Sequence, residues 1–552
     1  MKKRTKYLLI IVGLILIGRF AFIHKVTYDA PELKNPDLII EDPVALDSTT
    51  FKLGKNWLRL NEQGNWECYV EGDPYERGLI IGKLQRTLLQ KQEEVFIAEI
   101  EKHLPGKLKQ KLMLNGIAWF NRNLPETIPN EYLQEIYGVS QSFSDAYDNI
   151  GPKFNRILNY HAAHDIGHMA QNMNLVGCSA GAKWSLTDQD SSFILGRNFD
   201  FYFGDDFAQN KIILFCNPTS GYSYSSVTWG GFCGVVSGIN EAGLSITLNA
   251  LPADWPTSSS TPVSIISRDI LQYASTMDEA LAIAKKYDVF VSESFTIGSK
   301  KDGKAAIIEK SPGKTFIYYS DSNSLIATNH YQSDSLKDSQ LNKDHRLNAD
   351  SDFRFAKMKS MIDSSSSELS PTKMAKMLRA KKGPDNENIG FGNPMAINQL
   401  LAHHSIIFDY YKNQFYISST PFQEGTFSCY DFSKIAQMGD HNPKESIAID
   451  SLAIQPSNFS TSSDFSDFKK YKKLAALFKQ NLSKESDTTY SEEFLSHFID
   501  LNPYYYEPYA LVGHYYFLKE NQSKANTYYT KALEKPIAYK SDIDLIKERK
   551  TE

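Results

Sequence analysis

Two neighbouring nucleophiles occur in one pentapeptide, because residues 177–181 read Gly-Cys-Ser-Ala-Gly. A Gly-x-Ser-x-Gly pattern can present its serine, here Ser179, on a sharp turn between a strand and a helix. The sequence that follows predicts no such helix. A short run is followed by a turn at residues 188–190 (Asp-Gln-Asp) and then by a strand, which is typical of a β-hairpin. This context disfavours Ser179.

The second nucleophile, Cys178, begins the predicted hairpin. Cleavage of the chain before Cys178 would give this residue a free α-amino group, whose pKa is ordinarily about 7.7–8.0. Such an amine can act as general base for the thiol of its own residue. Arg197 and Asp200 end the return strand, where Arg197 would favour the thiolate and Asp200 would hold the amine by a charge-assisted hydrogen bond. Spacing alone leaves another interpretation open: a buried structural cysteine beside a structural Arg197–Asp200 ion pair.

The elements that must position these residues form segregated blocks. Apolar residues at helical spacing predict helices, and short β-rich runs between turn residues predict strands. The runs are 76–102 and 130–145 (helical), 192–195, 212–215, 222–227, 235–236 and 244–248 (strands), 262–287 (helical), and 295–297, 305–309 and 315–320 (strands). Blocks of this kind predict an α+β layered fold rather than alternating βαβ units.

Composition excludes several classes of protein. The 552 residues carry a net charge of −5, which argues against a general nucleic-acid binder. A mean hydropathy of −0.39 excludes a polytopic membrane protein. The five cysteines are too sparse for a disulfide scaffold, and their odd number leaves at least one thiol unpaired within the chain. They are Cys68, Cys178, Cys216, Cys233 and Cys429.

The N-terminus has the layout of a targeting segment. Four basic residues precede an apolar run that extends to Ile23, so residues 1–23 predict an uncleaved signal anchor or, alternatively, a signal peptide. In either case the body would be exported, either anchored in the membrane and facing the periplasm or exterior, or secreted. Residues 24–65 are interpreted as a tether.

The C-terminal part differs in composition from the middle. Residues 431–465 are rich in Ser, Asp and Asn and are interpreted as a linker. Residues 466–540 predict a helical tail, which contains the spacing of one tetratricopeptide repeat. An ordinary helical hairpin is the alternative, and such a tail offers a surface for a protein partner. The residues with this spacing are Tyr509, Val512, Gly513, Tyr516, Ala525, Tyr529 and Ala532.

Several separated strings occur in a defined order and spacing over residues 66–430. The strings are Glu76-Arg77-Gly78 with Gly82, residues 132–138 (Tyr-Leu-Gln-Glu-Ile-Tyr-Gly), 177–179, 196–200 (Gly-Arg-Asn-Phe-Asp), 238–244 (Gly-Ile-Asn-Glu-Ala-Gly-Leu), 248–249 (Leu-Asn), 268–281, 307–309 (Ile-Ile-Glu) and 327–330 (Ala-Thr-Asn-His). Each string is weakly specific, but their order and spacing are specific. Together they resemble the isopenicillin N acyltransferase family of cysteine N-terminal nucleophile (Ntn) hydrolases, to which bile salt hydrolases and acid ceramidases are related.

The resemblance implies a four-layer αββα fold over residues 66–430, and self-cleavage between Gly177 and Cys178. The cut would separate an α part, residues 66–177, from a β part, residues 178–430. Cys178 would be the nucleophile, Arg197 and Asp200 would surround its amine, and Asn249 and Asn329 would be the two asparagines of the family pattern, with Asn249 in the oxyanion-donor position. Arg354 and Ser405 are weaker matches, proposed as substrate-binding residues.

The function implied is that of an amidohydrolase that cleaves a linear N-acyl amide of a small molecule through an acyl-cysteine intermediate. An acyltransferase of the isopenicillin N type and a non-catalytic exported binding protein are the alternatives. The mechanism requires no metal and no cofactor; the resemblance would allow coenzyme A as an acyl donor, but the predicted export argues against it. His161, His164 and His168 share one helical face, which favours a packing cluster over a metal site.

Overall fold

A computed structural model of the chain describes residues 2–169, 177–185, 191–256, 258–365, 368–483 and 488–550. Two β-sheets lie face to face in the middle of the body, and helices cover the outer face of each sheet. The architecture is therefore α+β with four layers, as expected from the segregated blocks. The turn predicted at residues 188–190 lies outside the described residues.

The larger sheet contains eleven strands within the described residues. Neighbours are antiparallel except for one parallel pair, the fourth and seventh strands of the chain. In their order across the sheet the strands are β1 (Val44–Ala45), β2 (Thr50–Leu53), β3 (Asn56–Leu60), β4 (Trp66–Gly72), β7 (Ile212–Pro218), β8 (Tyr224–Thr228), β9 (Ser237–Asn240), β10 (Leu244–Leu251), β11 (Ser292–Ser299), β12 (Lys304–Ser311) and β13 (Lys314–Tyr319).

The smaller sheet is antiparallel and has six strands in the described part of the chain. Its centre is the hairpin predicted from the sequence, which the chain extends on both sides with later strands. In their order across the sheet they are β14 (Ser324–Ala327), β5 (Ser179–Ser185), β6 (Ser192–Phe199), β15 (His404–Asp409), β16 (Gln414–Ser418) and β17 (Phe427–Asp431).

Sixteen α-helices lie within the described residues. The first precedes the sheets, the next five lie in the predicted α part, and the last five form the C-terminal tail. They are α1 (Lys2–Val26), α2 (Pro74–Leu84), α3 (Arg86–His103), α4 (Lys107–Phe120), α5 (Asn130–Ser140), α6 (Lys153–Met169), α7 (Val263–Tyr273), α8 (Met277–Lys286), α9 (Gln340–Asn348), α10 (Ser351–Asp363), α11 (Pro371–Leu378), α12 (Ser463–Ser483), α13 (Glu492–Asp500), α14 (Glu507–Leu518), α15 (Gln522–Leu533) and α16 (Lys540–Arg549).

Side chains alternate between the two faces of β6, as the period of a strand requires. Phe193 and Leu195 point into the apolar layer between the sheets, whereas Ile194 packs in the outer layer against α10 and α11. The same alternation directs Arg197 inward and Asn198 outward, where Asn198 Nδ2 donates to the carbonyl of Leu378 at 2.9 Å. The strand thus decides which of its residues reach the site.

Glycines in two of the sequence strings have a packing role. A Cβ atom on Gly78 would lie 2.1 Å from the Glu135 carbonyl oxygen, and one on Gly138 would lie 2.6 Å from that of Tyr75. The helices α2 and α5 therefore approach each other more closely than larger residues would allow. Between them, Glu135 accepts a hydrogen bond from Arg77 Nε at 2.8 Å in the buried interface.

Two segments expected to be connectors are part of the folded body. Residues 44–60, expected to belong to the tether, form β1–β3 and extend the larger sheet, since β3 pairs with β4. Residues 432–440, expected to be linker, form a 3₁₀ helix that buries Phe432, Ile435 and Met438 in the layer between the sheets. The domain that was expected at residues 66–430 therefore extends at both ends.

Among the described residues, no helix is both long and apolar enough to cross a membrane. The predicted signal anchor or signal peptide at residues 1–23 lies within α1 and stays a prediction. In the tail, α14 and α15 form a helical hairpin, and a Cβ atom on Gly513 would lie 2.6 Å from the Tyr529 ring. The small residue stands where the paired helices touch, while the tetratricopeptide interpretation stays a prediction.

Candidate active site

The candidate nucleophile, Cys178, lies directly before β5, in the buried interior of the body. Cys178 is 1% exposed, and its Sγ is 3.4 Å from Arg197 Nη2. Burial raises the pKa of the Cys178 thiol to about 11, although the positive charge of Arg197 opposes this shift. In the uncut chain the thiol is therefore protonated at neutral pH. All five cysteines are buried and free.

Arg197 is held beside the thiol by the larger sheet. Its Nη1 donates to Ser237 Oγ at 2.7 Å, its Nη2 donates to the Leu248 carbonyl oxygen, and its guanidinium stacks 4.3 Å from the Phe199 ring centre. Burial lowers the pKa of Arg197, yet no ordinary pH deprotonates a guanidinium. The side chain is therefore a fixed positive charge aimed at Cys178, as expected from the sequence.

Asp200 lies at the end of the hairpin with its main chain against the predicted cleavage site. Its carbonyl oxygen accepts a hydrogen bond from Gly177 N at 3.0 Å. Both carboxyl oxygens are buried and have no hydrogen-bond partner among the described residues, so the expected structural ion pair with Arg197 is not formed there. Burial raises the pKa of Asp200 to about 8, against the opposing charges of Arg354 and Arg197. Asp200 thus faces the site as a buried carboxyl group that holds its proton at neutral pH.

The amide nitrogen of Cys178 and its carbonyl group are clamped by two residues from later elements. Asn329 Oδ1 accepts hydrogen bonds from Cys178 N at 3.0 Å and from Arg354 Nη2 at 2.8 Å. Arg354 Nη1 donates to the Cys178 carbonyl oxygen and, at 3.0 Å, to Ser179 Oγ. Asp350 Oδ1 holds Arg354 at 3.0 Å. Arg354, a weak match in the sequence, thus lies at the centre of the site.

Asn249 lies on β10 of the larger sheet, next to the residues that precede Asn329 of this clamp. Its Nδ2 donates to the carbonyl oxygens of Ala327 at 3.2 Å and Thr328 at 3.1 Å, the two residues that precede Asn329. Its Oδ1 is buried and has no partner within the described chain. In the uncut chain the Asn249 amide holds the end of β14 in place, and its hydrogen bonds within the described residues do not reach Cys178.

Ser405 does not contact the site. Its hydroxyl donates to Asn198 Oδ1, and Ser405 pairs with Asn198 across the β6–β15 ladder. Both residues face the outer helices, because Arg197 and Ile406 occupy the alternate, inward positions. The expectation that Ser405 binds substrate is therefore not supported by its position.

Three residues that sequence reasoning missed surround the nucleophile. His404 Nε2 lies 2.9 Å from Ser237 Oγ, the same hydroxyl that accepts from Arg197. Glu293, a buried acidic residue on β11, raises the pKa of Cys178 through its charge. Gln399 Nε2 donates to the Gly177 carbonyl oxygen at 3.2 Å. A charged residue in a β-rich run marks Glu293 in the sequence, whereas no pattern marks Gln399.

Of the three histidines in the predicted cluster, the structure describes the side chain of His161, which packs in the interior. His161 is buried, its Nδ1 lies 2.8 Å from the Ile157 carbonyl oxygen, and its Nε2 accepts from Cys233 N at 2.9 Å. The side chains of His164 and His168 lie outside the described residues. Within the described residues, no group of three or more His, Cys, Asp or Glu side chains has the arrangement of a metal site.

A match to a known family covers the part of the chain that carries most of these residues. Residues 186–388 match the family described as acyl-coenzyme A:6-aminopenicillanic acid acyl-transferase. The matched segment includes Arg197, Asp200, Asn249, Asn329 and Arg354. It begins after the candidate nucleophile and ends before residue 405.

Other comparisons are more distant. An uncharacterized protein of Archaeoglobus fulgidus is 25% identical over 279 residues, which cover 47% of this chain and 45% of that protein. The chain thus spans less than half the length of this curated relative. Among solved structures, the Caenorhabditis elegans ortholog of N-acylethanolamine-hydrolyzing acid amidase is 18% identical, covers 42% of this chain and 92% of its own, and has a TM-score of 0.30. A mutant of the conjugated bile acid hydrolase from Clostridium perfringens is 12% identical, covers 49% of this chain and 95% of its own, and has a TM-score of 0.32.

Proposed function

We propose that this chain, whose residues 186–388 match an acyltransferase domain of the isopenicillin N type, is a cysteine Ntn amidohydrolase. It would cut its own chain between Gly177 and Cys178 and then hydrolyse a linear N-acyl amide. The observation that carries the proposal is the clamp on Cys178. Arg197 donates a hydrogen bond to the Cys178 thiol, while Asn329 and Arg354 bind its amide nitrogen and its carbonyl oxygen.

The clamp suits a nucleophile whose amide nitrogen becomes a free amine. Asn329 Oδ1 already accepts a hydrogen bond from that nitrogen, so the oxygen can accept one from the amine after the cut. The amine then takes the thiol proton, and the Arg197 guanidinium stabilises the thiolate. Such a thiolate attacks the acyl carbon, and the substrate amine leaves with the proton that Cys178 N held. Water then hydrolyses the acyl-cysteine.

Hydrolysis and acyl transfer share these steps up to the acyl-cysteine. The family match favours transfer as the second candidate, because the name of that family describes an acyl-transferase. The two reactions differ in which nucleophile resolves the thioester. Adding an amine acceptor to enzyme and a chromogenic N-acyl amide distinguishes them. An acyltransferase forms the new amide in proportion to acceptor, whereas an amidohydrolase releases the free acid at all acceptor concentrations.

The experiment that tests self-cleavage is intact mass together with N-terminal sequencing of purified protein. We expect two fragments from the wild-type chain, the second beginning Cys-Ser-Ala-Gly. Cys178→Ala is expected to stay whole. Cys429→Ala, which removes a buried thiol outside the site, is the matched control and is expected to be cut. An active wild-type chain that remains whole would overturn the mechanism.

The same samples test the alternative of a non-catalytic binding protein. A binding protein would give no fragments and no labelling of Cys178 by a thiol-reactive acyl probe. The amidohydrolase is expected to show labelling that the Cys178→Ala variant lacks. Export of the body, its membrane attachment and a protein partner for the tail stay predictions, tested by fractionation of cells that express the full chain.

A further inference from the structure

We propose that the C-terminal tail, α12–α16, has a role in the self-cleavage: it holds residues 389–400 so that Gln399 donates a hydrogen bond to the carbonyl oxygen of the scissile bond. The inference rests on the proposed function, because it concerns the cut between Gly177 and Cys178. It assigns a further catalytic residue, Gln399, and gives the tail a positioning role.

Gln399 is placed on the reacting group itself. Its side chain is buried, and its Nε2 lies 3.2 Å from the Gly177 carbonyl oxygen. A Cβ atom on residue 177 would lie 2.6 Å from the same Nε2. Glycine at position 177 therefore permits the amide to approach the carbonyl, and any larger residue would displace it. The position of Gln399 thus requires a residue without a Cβ atom at position 177.

The segment that carries Gln399 is held by the tail. Asn502, between α13 and α14, binds both main-chain groups of Phe391: its Oδ1 accepts from Phe391 N at 3.0 Å and its Nδ2 donates to Phe391 O at 2.8 Å. A Cβ atom on Gly390 would lie 2.5 Å from Tyr505 N, so the two main chains are in close contact. Asn502 is 1% exposed. The tail thus fixes one end of the segment.

The other end of the segment is anchored next to Gln399. The Leu400 side chain is buried in the apolar core of the tail, with Phe468, Tyr471 and other aromatic residues. Leu400 has a φ of 55°, a conformation that residues with a Cβ atom rarely adopt and that surrounding structure must enforce. Its packing into the tail core provides that constraint. The main chain at Leu400 in turn determines where the Gln399 side chain points.

A second contact links the tail to the opposite side of the scissile bond. Tyr539, just before α16, donates to Asp350 Oδ2 at 3.2 Å. Asp350 holds Arg354 at 3.0 Å, and Arg354 binds the carbonyl oxygen of Cys178. The tail therefore supports the residue that contacts Gly177 and the residue that contacts Cys178.

The chemistry of the cut explains why this donor matters. Cys178 Sγ bonds to the Gly177 carbonyl carbon, and the carbonyl oxygen takes up negative charge in the tetrahedral intermediate. The Gly177–Cys178 C–N bond then breaks, the thiol proton passes to the leaving nitrogen, and a thioester remains. Water hydrolyses the thioester: one of its protons returns to Sγ, and the other passes from the new carboxylic acid of Gly177 to the α-amine of Cys178 or to solvent, which leaves a carboxylate on Gly177. An N–H donor already in contact with the oxygen stabilises the charge that develops there.

The first test compares Gln399→Met with Gln423→Met in the full chain. Gln423 is the matched control, since it is buried and its Nε2 donates to an ordinary carbonyl, that of Leu378, at 3.3 Å. We expect Gln399→Met to slow the appearance of the fragment beginning at Cys178 by about 10²–10³-fold, and Gln423→Met to leave the rate within a fewfold of wild type. Gln399→Met cut at the rate of Gln423→Met would overturn the assignment.

Folding is monitored separately from cleavage. Each substitution is also made in the uncut Cys178→Ala chain, where the midpoint of thermal unfolding reports whether the precursor folds. Gln399→Leu also lacks the amide donor and cannot donate through a protonated carboxyl, so it replaces the Met variant should that variant fail to fold. It is expected to be slowed as well, and a rate equal to wild type would again overturn the assignment.

The second test addresses the tail through Asn502→Ala, with Tyr516→Phe as control. The Tyr516 hydroxyl donates to Glu492 Oε1 at 2.6 Å, a contact that stays within the tail. We expect Asn502→Ala to slow cleavage by about 10–100-fold, because a displacement of the donor of about 1 Å has effects of this size. Tyr516→Phe is expected to be cut like wild type.

A double-mutant cycle separates positioning from general destabilisation. If Asn502 acts through Gln399, the chain with both Asn502→Ala and Gln399→Met is cut no more slowly than Gln399→Met alone. Multiplied effects, or an Asn502→Ala chain cut at the wild-type rate, would overturn the role of the tail. Failure of the proposed function looks different, since the wild-type chain itself would then remain whole.

Discussion

Replacing Asp200 by Asn tests whether the uncut chain holds a neutral carboxylic acid beside its nucleophile. The Asp200 carboxyl is buried without a hydrogen-bond partner in the described part of the chain, and burial raises its pKa from 3.8 to about 8. The native state keeps the proton up to that pH, whereas the unfolded chain releases it near its ordinary pKa of 3.8. Between these values unfolding releases a proton, so the free energy of unfolding falls as the pH rises.

The size of the effect follows from the shift. Each pKa unit corresponds to about 1.4 kcal/mol, so the shift of Asp200 amounts to on the order of 5 kcal/mol between about pH 4 and pH 8. Asn does not titrate and lacks this loss. The free energy of unfolding of the Asp200→Asn chain, minus that of its parent, is therefore expected to increase by about 1.4 kcal/mol per pH unit across this range.

Guanidinium unfolding at several pH values between about 4 and 8 measures this difference. Both chains carry Cys178→Ala, so that neither is cut. Asp47→Asn is the control: Asp47 is exposed, and a hydrogen bond from Thr49 N at 2.8 Å lowers its pKa. Because the pKa of Asp47 lies below 3.8, its difference from the parent should stay nearly constant between about pH 4 and 8 and change only at lower pH. A difference for Asp200→Asn that stays flat within about 1 kcal/mol would refute the reasoning, since the carboxyl would then be ionised in the precursor.

Three further substitutions have defined outcomes. Ser405→Ala removes a hydroxyl that makes a buried hydrogen bond away from the site. We expect the rate of self-cleavage, measured by mass, to stay within about threefold of wild type. The free energy of unfolding, measured with denaturant, is expected to fall by about 1–3 kcal/mol. Asn249→Ala leaves two buried carbonyls without their donor, and denaturant unfolding is expected to show a loss of about 1–3 kcal/mol. Burial alone would raise the pKa of Glu135, but Arg268 and Arg77 outweigh it and lower the pKa to about 2. Glu135→Gln is therefore expected to lower the free energy of unfolding by about 3–5 kcal/mol at pH 7. This loss relative to the parent should shrink as the pH falls from about 4.5 towards 2, because the parent then loses its own ion pair. An undiminished loss at about pH 2.5 would contradict the buried pairing.

The contact between the candidate nucleophile and Arg197 was predictable because it is local in sequence. A hairpin that begins at Cys178 returns through the strand that ends in Arg197 and Asp200, and the strand period alone brings Arg197 to the nucleophile. Asn329 comes from an element far along the chain, but it lies in one of the strings that resemble a known family. Arg354 lies outside these strings, and the resemblance extends to it only weakly.

The same strand period explains the misplacement of Ser405. Ser405 lies on the strand that pairs with the strand of Arg197, but the register pairs it with Asn198, whose side chain faces away from the site. A shift of one residue reverses the face to which a side chain points, and a sequence without register information cannot resolve it. Gln399 was missed for another reason: it lies 222 residues from Gly177 in a segment without periodicity.

The connectors were misjudged because their residues are mixed in polarity. Residues 44–60 form three short strands, of which β1 is exposed at the edge of the sheet, β2 is half-buried and β3 is largely buried, although polar residues occur in all of this segment. The segment at 432–440 is a 3₁₀ helix, whose few apolar residues are buried although Ser, Lys, Gln and Asp surround them. The composition of such a segment mainly reflects its exposed polar residues, whereas its few buried apolar residues determine where it packs.

The electrostatics of the uncut site favour an enzyme that is inactive until it is cut. Burial raises the pKa of Cys178 to about 11 and that of Asp200 to about 8, so both groups hold their protons at neutral pH. Cutting the peptide bond at Cys178 turns an amide nitrogen into an α-amine, which carries a positive charge when protonated. A positive charge at that atom favours both the thiolate and the carboxylate. We therefore expect the cut to lower both pKa values and to convert a protonated pair into the ionised pair that hydrolysis of the substrate requires. The proposed role of the tail concerns the step before this positive charge forms. The first attack, by Cys178 Sγ on the Gly177 carbonyl, depends on the hydrogen-bond donors at that carbonyl and not on an amine that has yet to form.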